Sequence, residues 1–280
     1  MTIQCEAHAK INWSLNILGL REDGYHILDM LMQPLALSDT LIFEDDGALS
    51  LTVDGQTLPD DGRNLVSRAA KALNAAVGTS HGARIRLFKR IPQRAGLGGG
   101  SADCAAALVA LNRLWALNLP MERLMEIGGT LGADVPFCLL NRLARVCGIG
   151  ERLTPLPGAQ ETPLVMVTPG GGLSTAEVFR AWDAVHPPVQ DVDMHRLADA
   201  LARGDFARAQ ALSFNSLETP AISLMPEIGD LMHRFRALGA LFTRMTGSGS
   251  TVFAVFDTEA RARSAAAQVS GATVTRTMAV

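Results

Sequence analysis

The chain has 280 residues, of which 48% are hydrophobic and 19% charged, and a formal net charge of −3; this is ordinary for a soluble globular protein and gives no support to nucleic-acid binding driven by bulk charge. The sequence has no apolar run of the roughly 18 residues that a transmembrane helix needs and no visible signal peptide. Its four cysteines form no CxxC pair and do not cluster with histidines, so we expect reduced thiols in a cytoplasmic protein, without a disulfide framework or structural zinc.

The first elements are strands and one helix. Apolar and polar residues alternate over residues 7–18, AHAKINWSLNIL, and this period of two predicts a strand. A turn follows at REDGY. The segments TLIFED and ARIRLFKR indicate further strands, and RNLVSRAAKALNAAV between them is typical of a helix.

A glycine cluster precedes the next helix, in IPQRAGLGGGSADCAAAL at residues 91–108. Four glycines fall within five positions, and apolar residues recur at helical spacing over residues 101–117. Glycine permits positive φ and close approach to the backbone, and amides at a helix N-terminus attract anions. The pattern therefore fits a phosphate site with Ser101 as the helix N-cap, although a flexible capped turn would give the same sequence.

Three known glycine motifs do not fit this cluster. A Walker A loop needs a lysine after its last glycine, and here Ser101 follows Gly100. The dinucleotide fingerprint would need a glycine in place of Ser101. The protein-kinase loop joins two strands, whereas this loop leads into a helix.

The second half of the chain also mixes helices and strands. Pro120 begins a helix for which Gly132 is a plausible end, and the proline-containing residues 154–163 are the best candidate linker. The later predicted elements are a strand and glycine turn in LVMVTPGGG, a helix pair in DMHRLADALARGDFARAQAL, a helix in PEIGDLMHRFRALGA, a strand–turn–strand in GALFTRMTGSGSTVFAVF, a helix in EARARSAAAQV and a strand in ATVTRTM. The class is therefore α+β or α/β.

Seven segments together resemble the small-molecule kinases named after galactokinase, homoserine kinase, mevalonate kinase and phosphomevalonate kinase. In the order and spacing of that family they are AKINWSLNILGLREDGYH, RNLVSRAA, the glycine loop, LGADVPF, GIGE, TPGGGLSTAEVF and MTGSGSTVFAVF. The sequence departs from the family pattern at Arg94, where a glycine is usual, at Ala102, where a serine is usual, and at Ser250, where proline or alanine is common.

The resemblance implies an α+β fold of two domains. It implies an N-terminal ATP-binding and catalytic domain over residues 1–158 with a left-handed βαβ crossover, and a ferredoxin-like substrate-binding domain over residues 159–280. Parallel βαβ crossovers are almost always right-handed. A left-handed crossover is therefore rare, and composition alone does not predict it.

The resemblance also implies a reaction. The sequence most resembles the members of this family that use ATP and Mg²⁺ to phosphorylate the 2-hydroxyl of 4-diphosphocytidyl-2-C-methyl-D-erythritol. That reaction gives ADP and belongs to the non-mevalonate route to isoprenoid precursors. The expected partner is thus a small molecule, with no nucleic acid and no membrane, and the chain is expected to be a monomer or weak homodimer in the bacterial cytoplasm.

Two residues carry the implied chemistry. Lys10 shares the polar side of the first strand with Asn12, and spacing alone favours an ordinary solvated lysine on a strand edge. Asp134 follows a predicted helix end and precedes Pro136, so cap and catalyst are both open. The resemblance makes Asp134 the general base for the hydroxyl proton and Lys10 the cation that keeps it ionised.

The resemblance assigns the remaining site residues to ATP and to the acceptor. The expected nucleotide-binding residues are Asn64, Leu65, Pro92, Gln93, Arg94, Ala95, Gly96, Leu97, Gly98, Gly99, Gly100, Ser101 and Ala102. The expected acceptor-binding residues are Asn12, Tyr25, His26, Thr175 and Phe179. Tyr25 and His26 would hold the cytosine and Phe179 would close on its other face, whereas a packed turn aromatic beside a surface histidine is the alternative.

Three rival functions remain open at this stage. A homoserine or mevalonate kinase is the nearest, although the GYH segment argues against both. The fold could also serve as a non-catalytic nucleotide-binding module, or as a decarboxylating relative that uses ATP to prepare the loss of CO₂.

Overall fold

A computed structural model describes residues 1–57, 62–158, 160–185 and 187–279. The strands are β1 (Thr2–Leu20), β2 (His26–Asp46), β3 (Leu49–Val53), β4 (Gln56–Thr57), β5 (Gly82–Phe88), β6 (Ala144–Gly148), β7 (Arg152–Pro155), β8 (Pro163–Val167), β9 (Phe242–Met245), β10 (Val252–Val255) and β11 (Thr273–Arg276). The helices are α1 (Leu65–Val77), α2 (Gly99–Leu114), α3 (Met121–Leu131), α4 (Val135–Leu140), α5 (Thr175–Val185), α6 (Met194–Ala202), α7 (Phe206–Leu212), α8 (Glu218–Leu224), α9 (Glu227–Ala237) and α10 (Glu259–Ala266), with a short 3₁₀ helix at Pro169–Gly171.

The chain forms two compact units that alternate along the sequence. Unit 1 comprises Met1–Ala9, Leu37–Ile91 and Gly98–Asn141, and unit 2 comprises Lys10–Ala36, Pro92–Leu97 and Arg142–Val280. The long strands β1 and β2 each contribute residues to both units. The domain boundary expected after residue 158 stays a prediction, and residue 159 lies outside the described residues.

In unit 1, helices pack on a sheet in which the strands β3 and β5 are parallel. The second half of β2 is antiparallel to β5, and β3 is parallel to β5. Helix α1 lies between β3 and β5 in the chain, so β3–α1–β5 forms a parallel βαβ crossover. Helix α1 ends at Gly78, whose φ of 70° is left-handed, and α3 begins after Pro120 and ends at Gly132, as the sequence predicts.

The start of α2 differs from the sequence expectation. Gly98, with a left-handed φ of 69°, is the N-cap, and no side chain caps the helix. Ser101 lies inside the first turn, so its assignment as N-cap is wrong. The physical reason is that the positive φ of Gly98 turns the chain into the helix before Ser101 is reached.

In unit 2, the four-stranded antiparallel sheet has the strand order β11-β8-β10-β9. The first half of β2 pairs antiparallel with β6. The buried Trp13 ring meets Phe242 and Phe253 edge to face, with ring centroids 5.2 and 5.5 Å apart, a favoured geometry for aromatic rings. The mixed helix-and-sheet class predicted from sequence is confirmed.

Among the described residues, no helix combines the length and the apolar character that crossing a bilayer would require.

Two adjacent residues of α2 test the core of unit 1. Leu108 is fully buried and Val109 is 44% exposed. We expect Leu108→Ala to lower the free energy of unfolding by roughly 2–5 kcal/mol, because it removes buried methyl groups and leaves a cavity. Val109→Ala is the control and should change it by less than about 0.5 kcal/mol. Equal effects in denaturant unfolding would contradict this assignment of the helix face.

Candidate functional site

The polar side of β1 is buried. The four residues that alternate with its apolar positions, Lys10, Asn12, Ser14 and Asn16, are each at most 4% exposed. The Lys10 ammonium donates a hydrogen bond of 2.8 Å to Oδ1 of Asn12, and Nδ2 of Asn12 lies 3.4 Å from Sδ of Met30. The solvated-lysine alternative is therefore wrong, since a buried ammonium needs polar partners to offset its desolvation.

The first half of the glycine loop packs against β1 through backbone atoms. The N–H of Lys10 donates to the carbonyl of Leu97 at 3.0 Å. Gly96 has a φ of +73°, and a Cβ there would collide with the carbonyl oxygen of Thr246. Only glycine fits such a contact, because it combines a left-handed backbone with no side chain.

A second glycine turn, residues 246–249, borders Lys10 and the first half of the loop. The Thr246 hydroxyl accepts the N–H of Asn12 at 2.9 Å, and the Asn215 amide donates to the carbonyl of Gly247 at 2.9 Å. A Cβ on Gly247 would lie 3.4 Å from Nζ of Lys10. Thr246 and Asn215 were not predicted from sequence, yet they position the turn that borders the lysine.

The second half of the loop belongs to unit 1, together with two of the predicted nucleotide residues. Asn64 caps α1 by accepting the N–H of Val66 at 2.9 Å. The next residue, Leu65, comes close to the exposed Gly100, where a Cβ would lie 3.6 Å from its Cδ1. The structure thus brings the start of α1 beside the start of α2, which carries Ser101, within one unit.

Asp134 precedes α4 at the N-cap position, but its side chain makes no capping hydrogen bond. Pro136 lies in the first turn of that helix. The carboxylate is half-buried and is not used to cap the helix, so the capping alternative loses its main support. Asp134 belongs to unit 1 and Lys10 to unit 2, and their pairing stays a prediction.

The predicted cytosine residues lie in unit 2. Tyr25 is 59% exposed on its turn. The His26 ring lies against one side of α5, with its centroid 4.6 Å from that of Phe179 and 5.4 Å from that of Trp182. Its Nε2 is 2.7 Å from Oδ1 of Asp183.

The contact between His26 and Asp183 fixes the imidazole tautomer. An ionised carboxylate only accepts hydrogen bonds, so Nε2 must carry the hydrogen, and in the neutral ring Nδ1 is then an acceptor. Sequence reasoning missed Asp183, although its spacing of four residues from Phe179 places both on one helix face.

The start of α5 contacts the second glycine turn. The hydroxyls of Thr175 and Ser248 are 2.8 Å apart. Gly172 packs against the backbone of Arg94, where a Cβ would collide with the Arg94 carbonyl oxygen. Arg94 itself has a left-handed φ of 52°, which explains why glycine suits this position elsewhere in the resembling sequences.

A cavity of about 290 Å³ lies apart from these residues, in unit 1, between the start of β1 and one face of α2. Of the predicted site residues, Ala102 alone is among those lining it.

The chain is similar to known proteins along most of its length. Residues 64–142 match the GHMP kinases N terminal domain and residues 197–274 match GHMP kinases C terminal. Proteins named 4-diphosphocytidyl-2-C-methyl-D-erythritol kinase from Pelotomaculum thermopropionicum and Paramagnetospirillum magneticum are 44% and 43% identical over 270 residues. These matches cover 96% and 95% of this chain and 94% and 93% of the two relatives.

A solved structure extends the likeness to three dimensions. A crystal structure of 4-(cytidine 5'-diphospho)-2C-methyl-D-erythritol kinase is 39% identical, with a TM-score of 0.84, and the match covers 98% of this chain and 99% of that one.

The second glycine turn gives a test of the packing around Lys10. Gly247 has a φ of +58° and lies near the lysine, whereas Gly171 has a φ of +75° with nothing within 4 Å of its Cβ position. Alanine at either site costs roughly 1–2 kcal/mol for the left-handed backbone. Gly247→Ala should lower the free energy of unfolding further than Gly171→Ala, since its methyl group also crowds Lys10 and Asn12. Equal losses in denaturant unfolding would show that the turn tolerates a side chain.

Proposed function

Because the chain belongs to the GHMP kinase family, we propose that it transfers the γ-phosphoryl group of ATP to the 2-hydroxyl of 4-diphosphocytidyl-2-C-methyl-D-erythritol. The chain is a small-molecule kinase that acts on this cytidine diphosphate-linked substrate in isoprenoid precursor synthesis. The observation that carries the mechanism is the buried Lys10 ammonium, which donates to Asn12 and lies beside Gly247.

The glycine loop fits a triphosphate. The left-handed Gly96 and Gly98 leave backbone amides free of side-chain cover, and α2 begins at Gly99 with its N-terminal amides unused by any side-chain cap. Such amides and the helix dipole favour phosphate oxygens. The loop lacks a lysine of its own, and Lys10 supplies a positive charge beside the loop's first half.

Mg²⁺ is part of the proposal as a partner of ATP. Within the described parts of the chain, no group of three or more His, Cys, Asp and Glu side chains could hold a metal ion. Mg²⁺ commonly keeps several waters and binds through substrate phosphates with few protein ligands, so it would enter with the nucleotide and offset the phosphate charge.

Lys10 and Asp134 divide the chemistry of the acceptor hydroxyl. Asp134 takes the hydroxyl proton or orients the hydroxyl, since phosphoryl transfer has a loose transition state in which positioning accounts for much of the rate. Lys10 stabilises the negative charge that develops on the transferred group. The burial of Lys10 and the half-buried position of Asp134 at the start of α4 support these roles.

The acceptor's base is recognised beside α5. With Nε2 of His26 committed to Asp183, Nδ1 is available to accept from the exocyclic amino group of cytosine, which uracil replaces with a carbonyl. The exposed ring of Tyr25 offers a stacking face, and Phe179 holds the imidazole from the other side. Asn12 and Thr175 would contact the methylerythritol diphosphate part.

We further propose that the reaction takes place in the cytoplasm and that the protein acts as a monomer or weak homodimer.

The reaction and its base are tested together. Wild-type protein with ATP and Mg²⁺ should release ADP with the cytidine substrate and not with homoserine or mevalonate. Asp134→Asn should fold normally but turn over at least about a hundredfold more slowly, the usual effect of losing a general base. The exposed Glu122→Gln in the same unit is the control. Absence of ADP release by the wild type would refute the kinase assignment, and near-normal turnover by Asp134→Asn would remove only the base.

The base-recognition proposal has a separate test. Asp183→Asn lets the amide donate to His26 and so permits the other tautomer. We expect the KM for the cytidine substrate to rise roughly tenfold, the effect of losing a charge-assisted hydrogen bond, with the KM for ATP unchanged. The exposed Asp199→Asn on α6 is the matched control. If Asp183→Asn behaved like Asp199→Asn in steady-state kinetics, the tautomer argument would be wrong.

A further inference from the structure

Unit 1 contains a buried ionic cluster that the mechanism above does not use. The Lys89 ammonium forms ion pairs with Asp39 and, at 2.7 Å, with Oδ2 of Asp103. Asp39 is fully buried and Asp103 is 4% exposed. Burying two carboxylates and one ammonium is costly, so such a cluster is retained where its geometry serves a purpose or its charges are well compensated.

The cluster joins the two chain segments that flank the glycine loop. Oδ1 of Asp39 accepts the N–H groups of Arg90 and Ile91, the last residues before the loop. Asp103 lies on α2 just after the loop. Lys89 therefore links the segment that enters the loop to the helix that leaves it.

The cluster also borders the glycines themselves. A Cβ on Gly99 would lie 3.6 Å from Nζ of Lys89 and 3.0 Å from Cγ2 of Ile91. A shift of Lys89 or of the residues before the loop would thus move the backbone at which α2 begins.

The charge of the cluster is not balanced. Two ionised carboxylates against one ammonium leave one net negative charge, and Oδ1 of Asp103 has no hydrogen-bond partner among the residues that the structure describes. Burial is the main reason that the pKa of Asp103 is raised to about 7, with Asp39 adding to the rise and Lys89 opposing it.

Two cysteines interact with Asp103 and do not titrate in the same range. Burial raises the pKa of Cys5, on β1, to about 11 and that of Cys104, on α2, to about 12. The negative charge of Glu6 adds to the rise at Cys5, and the positive charge of Arg68 opposes the rise at Cys104. Both thiols therefore stay neutral between pH 6 and 8, the range in which Asp103 changes its charge.

We propose that Asp39, Lys89 and Asp103 are positioning residues that hold the start of α2 for the phosphates of ATP, and that the loop binds ATP better when Asp103 is neutral. The proposal rests on the proposed function for its nucleotide. Ionised Asp103 adds a poorly screened negative charge beside a site for a polyanion, and it weakens ATP binding without touching the acceptor site.

The kinetic test uses a variant that keeps the shape of the side chain. KM values for MgATP and for the cytidine substrate are measured from pH 6 to pH 8.5 in the wild type, Asp103→Asn and Asp45→Asn, which neutralises an exposed carboxylate on β2. In the wild type the KM for MgATP should rise roughly fivefold across the range. Asp103→Asn should abolish this rise, Asp45→Asn should keep it, and the KM for the cytidine substrate should follow the same pH profile in all three.

A second readout does not depend on catalysis. Because the pKa of Asp103 is higher in the folded than in the unfolded chain, its contribution to stability is lost as the pH rises from about 4 to about 7. Asp103→Asn should remove that part of the pH dependence in denaturant unfolding. If Asp103→Asn retained the wild-type pH profile of the KM for MgATP, the proposal would be overturned, whether or not stability changed. If no substrate gave ADP with the wild type, the function would fail first, and titration calorimetry with MgATP would still decide the pH dependence.

Discussion

The site in unit 2 depends on the absence of side chains where two turns of backbone meet. Gly96 can lie against the carbonyl of Thr246 because glycine has no Cβ, and a Cβ at this position would collide with the carbonyl oxygen. That close approach leaves the ammonium of Lys10 next to the backbone of Gly247, in a space set by the carbonyl and amide groups around it. A buried cation that donates to the Asn12 side chain has little freedom to move, which suits a group that must meet charge as it develops.

Burying the polar side of β1 costs desolvation free energy, and hydrogen bonds along the strand offset it. Its polar residues are buried, and Ser14 and Asn16 have partners from distant parts of the chain: the hydroxyl of Ser14 donates to the carbonyl of Phe214, and Asn16 accepts from Ser216. Each buried polar group is thereby satisfied, as buried polar groups generally are. One side of β1 presents the predicted site residues Lys10 and Asn12, and the other side packs around Trp13.

Local patterns in the sequence predicted most elements, because periodicity and end signals act over a few residues. Strand β1 and helices α1, α3, α6 and α7 follow from them, as do the glycine turns. The burial of Lys10 could not be predicted in this way, since the alternation in β1 is identical for a solvated and a covered polar face. The neighbouring Asn12 donates its N–H to Thr246, which is 234 residues further along the chain.

The same limit applies to the finer features of the site. Ser101 has the chemistry of an N-cap, but the left-handed backbone of Gly98 begins the helix earlier. Asp183 is an ordinary carboxylate on α5 until the fold brings His26 to it. The identities of the phosphate loop and of the substrate came from resemblance across seven segments, because no single segment distinguishes an anion site from a plain turn.

The separation in sequence between Lys10 and the turn at Gly247 has a consequence for folding. Lys10 lies on β1 and the turn follows β9, so the two meet only through contacts of long sequence separation. Contacts of such long sequence separation form late and slowly. The surroundings of the Lys10 ammonium are therefore completed after the local helices and hairpins have formed.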